Sequence, residues 1–323
     1  GWTRTDASSY GYKWKEDDGA QAFETAMAAI DAAETHPAGT LSGIVFPGQV
    51  DTCSEAFLRR CLAEASDRKR PLQIHAAQSE PEYHEMVRRH GKSPIAWLDD
   101  LGLLRPQTII GHGIFLNDHS WIKQPGDDLD RLAKSGATVA HSPTVFARTA
   151  AKLENFARYR QAGVNVALGT DTYPHDLFEE MRLALYLSRT DARRIEGSEC
   201  ADVFAAATIG GAEALGRADL GRLAVGCKAD LLLVEIDHPL MQPARDPLRS
   251  MISSAGSRPI RDVIIDGKYV VRDHEVVTLD YRAAIAELIE IAACHEGQIQ
   301  DVDVLGRRAE MLAPLSLPWA PSR

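Results

Sequence analysis

Apolar and polar positions alternate along this chain in blocks rather than residue by residue. Residues 13–35 (KWKEDDGAQAFETAMAAIDAAET) mix alanine with acids at helical spacing. LSGIVFP, from Leu41 to Pro47, is a short apolar run with β-branched residues and predicts a buried strand. Ser54 is placed to cap a helix over 54–69. The same unit then recurs. PLQIH (71–75) is followed by helical stretches at 80–90 and 93–101, and TIIGH (108–112) by a helix around 127–135. TVAH (138–141) precedes a helix near 152–162, and NVALGTD (165–171) precedes one over 176–189. Strands and helices that alternate about every 30 residues specify βα units and a parallel sheet. Strands that are almost continuously apolar are covered on both faces, which leaves a (β/α) barrel or a doubly wound sheet.

From about residue 223 the texture changes. ADLLLVEID (229–237) and IRDVIIDGKYVVRD (260–273) read as strands, the second turning at Asp266-Gly267. A terminal amphipathic helix is predicted over 281–296, and 313–323 is too rich in proline for regular structure. The expected organisation is therefore 1–222 as the βα region, 223–280 as a small β appendage and 281–323 as terminal helix and tail.

Composition narrows this little. With 323 residues, 45% hydrophobic and 25% charged, the chain is long enough for one large domain with an appendage. A net charge of -10 argues against a nucleic-acid groove. No apolar run reaches the roughly 18 residues of a membrane helix. Cys53, Cys61, Cys200, Cys227 and Cys294 are scattered without CxxC spacing, which points to reduced thiols and a cytoplasmic setting.

Four polar residues end four successive apolar runs: His75, His112, His141 and Asp171, separated by 37, 29 and 30 residues. Each separation is about one βα unit, and in a βα barrel the C-terminal strand ends converge on one face. One histidine at a strand end is commonly structural, and Asp171 alone could cap a turn. Four at matching offsets describe a common polar site. Imidazole nitrogen and carboxylate oxygen suit Zn²⁺ or a similar ion, which lowers the pKa of its water, and a carboxylate beside it can take the proton.

IHAAQ, TIIGHGIFL, VAHSPT and LGTDTYPHD resemble the motifs of barrel strands five to eight in the amidohydrolase superfamily, and the cytosine deaminase-like, triazine-hydrolase-like branch in particular. GRLAVGCKADLLLVEIDHP and VIIDGKYVVRD resemble that branch's return into its β-sandwich. The resemblance spans about 40 to 280. It implies an α/β fold, a (β/α)8 TIM-type barrel of which this chain holds strands four to eight, with a small β-sandwich appendage. It also implies one divalent metal, Zn²⁺ first, with iron, manganese and cobalt as the other ions such donors take. By that likeness His75, His112 and Asp171 are metal ligands. Asp171 also shuttles protons, His112 polarises the water, and His141 positions substrate.

Two departures qualify the likeness. The superfamily's deaminases carry a glutamate three residues after the strand-five histidine, where this chain has Gln78. Glutamine hydrogen-bonds but does not exchange a proton near neutral pH. Hydrolysis of an amide, carbamate, urea or amino-heterocycle C–N bond by activated water, with Asp171 handling the proton, is therefore the leading expectation. A heterocycle deaminase in which Gln78 only orients the ring, and a catalytically inactive subunit or scaffold, remain as alternatives. The second departure is that the superfamily's HxH pair on strand one is missing from the sequence. An N-terminal fragment or second chain carrying HxH is the expected partner, beside a small-molecule substrate. The resemblance also implies a homo-oligomer.

Other residues fall in the loops that follow the strands. Tyr173, His175 and Phe146 are expected to contact substrate, while Asp176 and Arg148 could do so or be ordinary loop residues. Glu80 or Glu82 could stand in for the glutamate that Gln78 replaces, but both lie past the strand end and read rather as helix-start acids, and His84, His90 and His119 as surface residues. Gly210-Gly211 reads as a helix-packing pair rather than a phosphate loop.

Overall fold

A computed structural model describes residues 2–4, 10–12 and 14–317. The predicted tail beyond 317 lies outside the described residues. Among the described residues there are ten strands: β1 (Trp2–Arg4), β2 (Tyr10–Tyr12), β3 (Leu72–Ala76), β4 (Thr108–His112), β5 (Thr138–His141), β6 (Asn165–Leu168), β7 (Leu231–Val234), β8 (Ile260–Ile265), β9 (Lys268–Arg272) and β10 (Glu275–Val276). β1 and β2 pair antiparallel. The functional framework is the parallel sheet β3-β4-β5-β6, whose strands pair in sequence order. A doubly wound sheet reverses its strand order at a switch point. None occurs here, so the sheet is singly wound, as in a barrel wall. Among the described residues it does not close on itself.

The expected strand at Leu41–Pro47 is reduced to two parallel bridges, Val45 to Leu72 and Gln49 to His75. Gly43, Pro47 and Gly48 interrupt it, and proline has no N–H to give a ladder. Its backbone still contributes. Val45 N donates to Pro71 O at 3.1 Å, Gln73 N donates to Val45 O at 3.0 Å, and His75 N donates to Gly48 O at 2.9 Å. The five expected barrel strands are thus four regular strands and one extended edge.

Helices begin where the sequence supplies caps. Ser54 Oγ accepts from Phe57 N, Ser79 Oγ from Glu82 N and Ser93 Oγ from Ala96 N, opening the helices Glu55–Asp67, Glu80–His90 and Pro94–Asp100. Asp176 accepts from Phe178 N and Glu179 N and caps Leu177–Ala192, so this residue is occupied in starting a helix rather than free for a substrate. Leu72, Ile74, Ile110 and Val139 are fully buried between the sheet and these helices. β7 to β10 form an antiparallel sheet, with Asp266 and Gly267 both at positive φ (49° and 76°) in the expected turn between β8 and β9. Its face is only partly covered: Leu232, Ile265 and Tyr269 are all exposed. The terminal helix extends over Tyr281–Val302 without a buried residue.

Gly210 sits where a helix crosses β6. A Cβ there would lie 2.5 Å from the carbonyl oxygen of Val166, a backbone atom that cannot swing aside. Gly210→Ala is expected to destabilise the fold by about 1–3 kcal/mol, read as a lowered denaturation midpoint, whereas Gly211→Ala, which meets open space, leaves it near the parent value.

Candidate active site

His75, one residue before the end of β3, lies directly opposite Gly111 of β4. Paired residues in a sheet point to the same face, so the imidazole of His75 leans over a position that has no side chain. The fit is close: a Cβ on Gly111 would stand 2.4 Å from His75 Cδ2. His112, the next residue, would share the opposite face with Ala76 in a regular pleat. Its φ is 80°, the chain leaves the pleat there, and its ring stacks on His75 with centroids 4.9 Å apart and planes at 25°. Asp171 follows β6 with φ 47°, and its Oδ2 lies 3.6 Å from His112 Nε2. Left-handed backbone at non-glycine residues is strained, and here it occurs at two of the four strand-end residues singled out by spacing.

Burial sets the electrostatics. It pushes the pKa of His112 down to about 3, assisted by the neighbouring imidazoles of His75 and His141. Burial alone brings His141 to about 3, and it lowers His75, opposed by the Asp171 carboxylate. All three rings are thereby neutral near pH 7 and keep a lone pair for a ligand. Nδ1 of His112 and Nδ1 of His141 are buried and have no hydrogen-bond partner among the described residues. The Asp171 side chain, by contrast, is 48% exposed.

The donors and their protonation states suit a divalent cation, and the His112–Asp171 pair is spaced for one ion to join. Among the described residues, however, no three His, Cys, Asp or Glu side chains close into a complete metal cluster. The structure brings the residues named by spacing together: His112 and Asp171 as a pair, His75 stacked alongside, and His141 buried next in the arc.

Aromatic edges border the stacked rings. Phe146 stands edge-on to His112 with centroids 4.6 Å apart, and Phe46 edge-on to His75 at 5.1 Å. Phe46 is a residue that reading the sequence missed, since it fell within an expected buried strand. Gly111 was missed too, although a glycine in an apolar strand signals close approach. Gln78 is half-buried just beyond β3. Tyr173 is 78% exposed, and His175, also exposed, holds Thr170 Oγ1 with its Nδ1 at 3.1 Å. Neither is brought against the stacked rings. Arg148 donates to Thr172 Oγ1 (3.0 Å) and Tyr173 O (2.7 Å), which ties the loop after β5 to the loop bearing Asp171.

Two expectations are corrected. His119 is 3% exposed rather than a surface residue: its Nδ1 accepts from Trp121 N and its Nε2 faces Lys152 O. Glu82 is 2% exposed rather than a solvated helix-start acid. It accepts from Ala77 N at 2.6 Å and Gln78 N at 3.1 Å. Burial, with the nearby Asp51 carboxyl, pushes its pKa up to about 8 against the pull of those two amides.

Comparison with known proteins follows the same lines. Residues 6–270 match the model of the amidohydrolase family. A 5'-deoxyadenosine deaminase of Methanothermobacter thermautotrophicus is 35% identical over 75% of this chain and 55% of its own length. A 5-methylthioadenosine/S-adenosylhomocysteine deaminase of Halobacterium salinarum is 32% identical over 84% of this chain and 60% of its own. The chain thus spans little more than half the length of these relatives. A zinc-bound adenosine deaminase from Xanthomonas campestris superposes with a TM-score of 0.78 at 28% identity, over 85% of this chain and 61% of that one. A zinc complex of atrazine chlorohydrolase from Arthrobacter aurescens shares the fold, with a TM-score of 0.75 at 22% identity over 84% and 60% of the two chains.

Two outcomes are expected. Gly111→Ala should displace the His75 ring and weaken binding of Co²⁺, followed by its visible absorption, while the folded far-ultraviolet spectrum persists. Because Glu82 binds its proton more tightly folded than unfolded, its contribution is complete below about pH 4.5 and is lost as pH rises through about 8. Denaturation midpoints should fall over that window, and Glu82→Gln should flatten the slope.

Proposed function

The chain belongs to the amidohydrolase family, and on that premise we propose that it takes part in metal-dependent hydrolysis of a non-peptide C–N bond in a small molecule. The observation that carries the proposal is the meeting of two neutral, stacked imidazoles with the Asp171 carboxylate at the strand ends. His112 and Asp171, with His75, would hold the ion, and Zn²⁺ is the first choice because zinc is bound in the adenosine deaminase of the same fold. When bound, such an ion supplies Lewis acidity that makes water nucleophilic at neutral pH.

The remaining chemistry falls to side chains. Asp171 is exposed enough to take a proton from the attacking water and pass it to the departing nitrogen, so that water and an amine-bearing carbon give a carbonyl and free amine. Phe46 and Phe146 offer ring edges against which a planar heterocycle packs. His141, neutral and buried with an unused Nδ1, hydrogen-bonds substrate. Tyr173 and His175 serve at the outer rim. Gln78 orients the substrate by hydrogen bonds without exchanging a proton.

The curated relatives are adenosine-type deaminases, which favours an amino-substituted nitrogen heterocycle of the nucleoside class. Gln78 favours a second reading, in which the leaving group departs with a proton from Asp171 alone and an amide, carbamate or urea serves as substrate. Ammonia release across aminopurines, aminopyrimidines and triazines, beside amide and carbamate substrates, separates the two. Five free thiols support a reducing, cytoplasmic compartment. No helix among the described residues is long and apolar enough to cross a membrane.

We further propose that a segment carrying HxH, on an N-terminal fragment or second chain, completes the site, and that the assembly is homo-oligomeric. A closed (β/α)8 barrel and a β-sandwich would be completed in that way. Asp171→Asn is expected to lower kcat by about 10²–10⁴-fold with the fold intact; unchanged turnover would remove Asp171 from the mechanism. Metal analysis should find about one ion per assembled site. A metal-free preparation that stays metal-free in added Zn²⁺ would favour a scaffold.

A further inference from the structure

Three buried acids share a placement that the proposed chemistry does not use. Each sits early on the helix after a strand and accepts backbone N–H bonds from a strand-end loop. Glu82 holds Ala77 N and Gln78 N, Asp128 holds Asn117 N at 2.8 Å, and Glu180 holds Thr144 N at 3.0 Å. All three are 2% exposed or less. Burying a carboxyl is costly, and a solvated residue would serve a helix start as well. The cost is offset only where the amides it satisfies must be held in place.

The amides Glu82 holds lie at a junction. Ala77 has φ 54°, so the chain turns left-handed two residues after His75. The carbonyls of the same turn face the other way. Ala76 O accepts from Gly113 N at 3.1 Å, and Ala77 O accepts from both Ile114 N and Phe115 N at 2.8 Å. One short turn is therefore gripped by Glu82 through its N–H groups and grips the segment after His112 through its C=O groups. Glu180 holds the start of the short helix Pro143–Ala147 that follows His141, and among the described residues it has no such link to β3.

We infer that Glu82 is a positioning residue that sets the stacked His75–His112 pair and the aim of Gln78 through the Ala77 peptide, while Glu180 separately sets His141. The inference rests on the reading of these histidines as the working site. It differs from that reading in being visible without metal or substrate, in the imidazole resonances of the protein itself.

The experiment compares the wild-type chain with Glu82→Gln and Glu180→Gln, each labelled at histidine ring nitrogens. Glutamine keeps one acceptor oxygen and presents an NH₂ group to the second amide, so the grip is altered at nearly constant volume. Expected for Glu82→Gln are shifted or broadened ring signals of His75 and His112 with His141 and His119 unmoved; Glu180→Gln should move His141 and spare His75. In the same samples Co²⁺ affinity should fall by about 10- to 100-fold for Glu82→Gln. Ring signals that superimpose on the wild type in Glu82→Gln overturn the inference, and so does equal disturbance of every histidine by both variants, which marks general loosening. If Glu82→Gln does not fold, the less disruptive Gln78→Ala, with Glu82 intact, must leave the His75 and His112 signals in place; displaced rings there would assign the positioning to Gln78 instead. A wild-type chain that binds no Co²⁺ counts against the metal reading, and the ring signals still decide this one.

Discussion

The parallel register between β3 and β4 governs the site. It sets His75 opposite Gly111, whose missing side chain leaves the space that the imidazole occupies. A shift of one residue would put His75 on the face of the overlying helices and turn Gly111 toward the wrong side. The register is held by a ladder that runs from Leu72–Thr108 to Ala76–His112 and by complete burial of Leu72, Ile74 and Ile110. Hydrophobic packing below thus determines ring geometry above.

The same burial decides the charge state. Removing His112 and His141 from water makes protonation expensive, and crowding the rings together adds to the cost for His112. Neutral rings with free nitrogens beside an exposed carboxylate are the arrangement in which a cation binds and a proton moves. The strain of left-handed backbone at His112 and Asp171 is borne by the sheet below and by the tie from Arg148 to the Asp171 loop.

Some of the surface is unusual for an isolated chain. The antiparallel sheet shows Leu232, Ile265 and Tyr269, and the helix Tyr281–Val302 buries none of its residues. Exposed apolar faces are the places where further polypeptide docks.

Local chemistry made much of this legible in the sequence. Serine caps, strand-end polar residues at βα spacing and the Asp-Gly turn each specify structure within a few residues, so the elements and His75, His112, His141 and Asp171 could be named from the chain alone. The resemblance in IHAAQ and LGTDTYPHD was likewise carried by short contiguous motifs. What tertiary structure decided depends on atoms far apart in sequence. The stack of His75 on His112 required the register opposite Gly111. The roles of Phe46 and His119 required knowing what packs over them. Glu82 shows the limit most plainly: as sequence it is an acid in a first helical turn, the commonest of solvated residues. Its amide partners, Ala77 N and Gln78 N, lie within five residues of it, but only the fold makes the left-handed turn that aims them at Glu82 and the packing that takes it out of water.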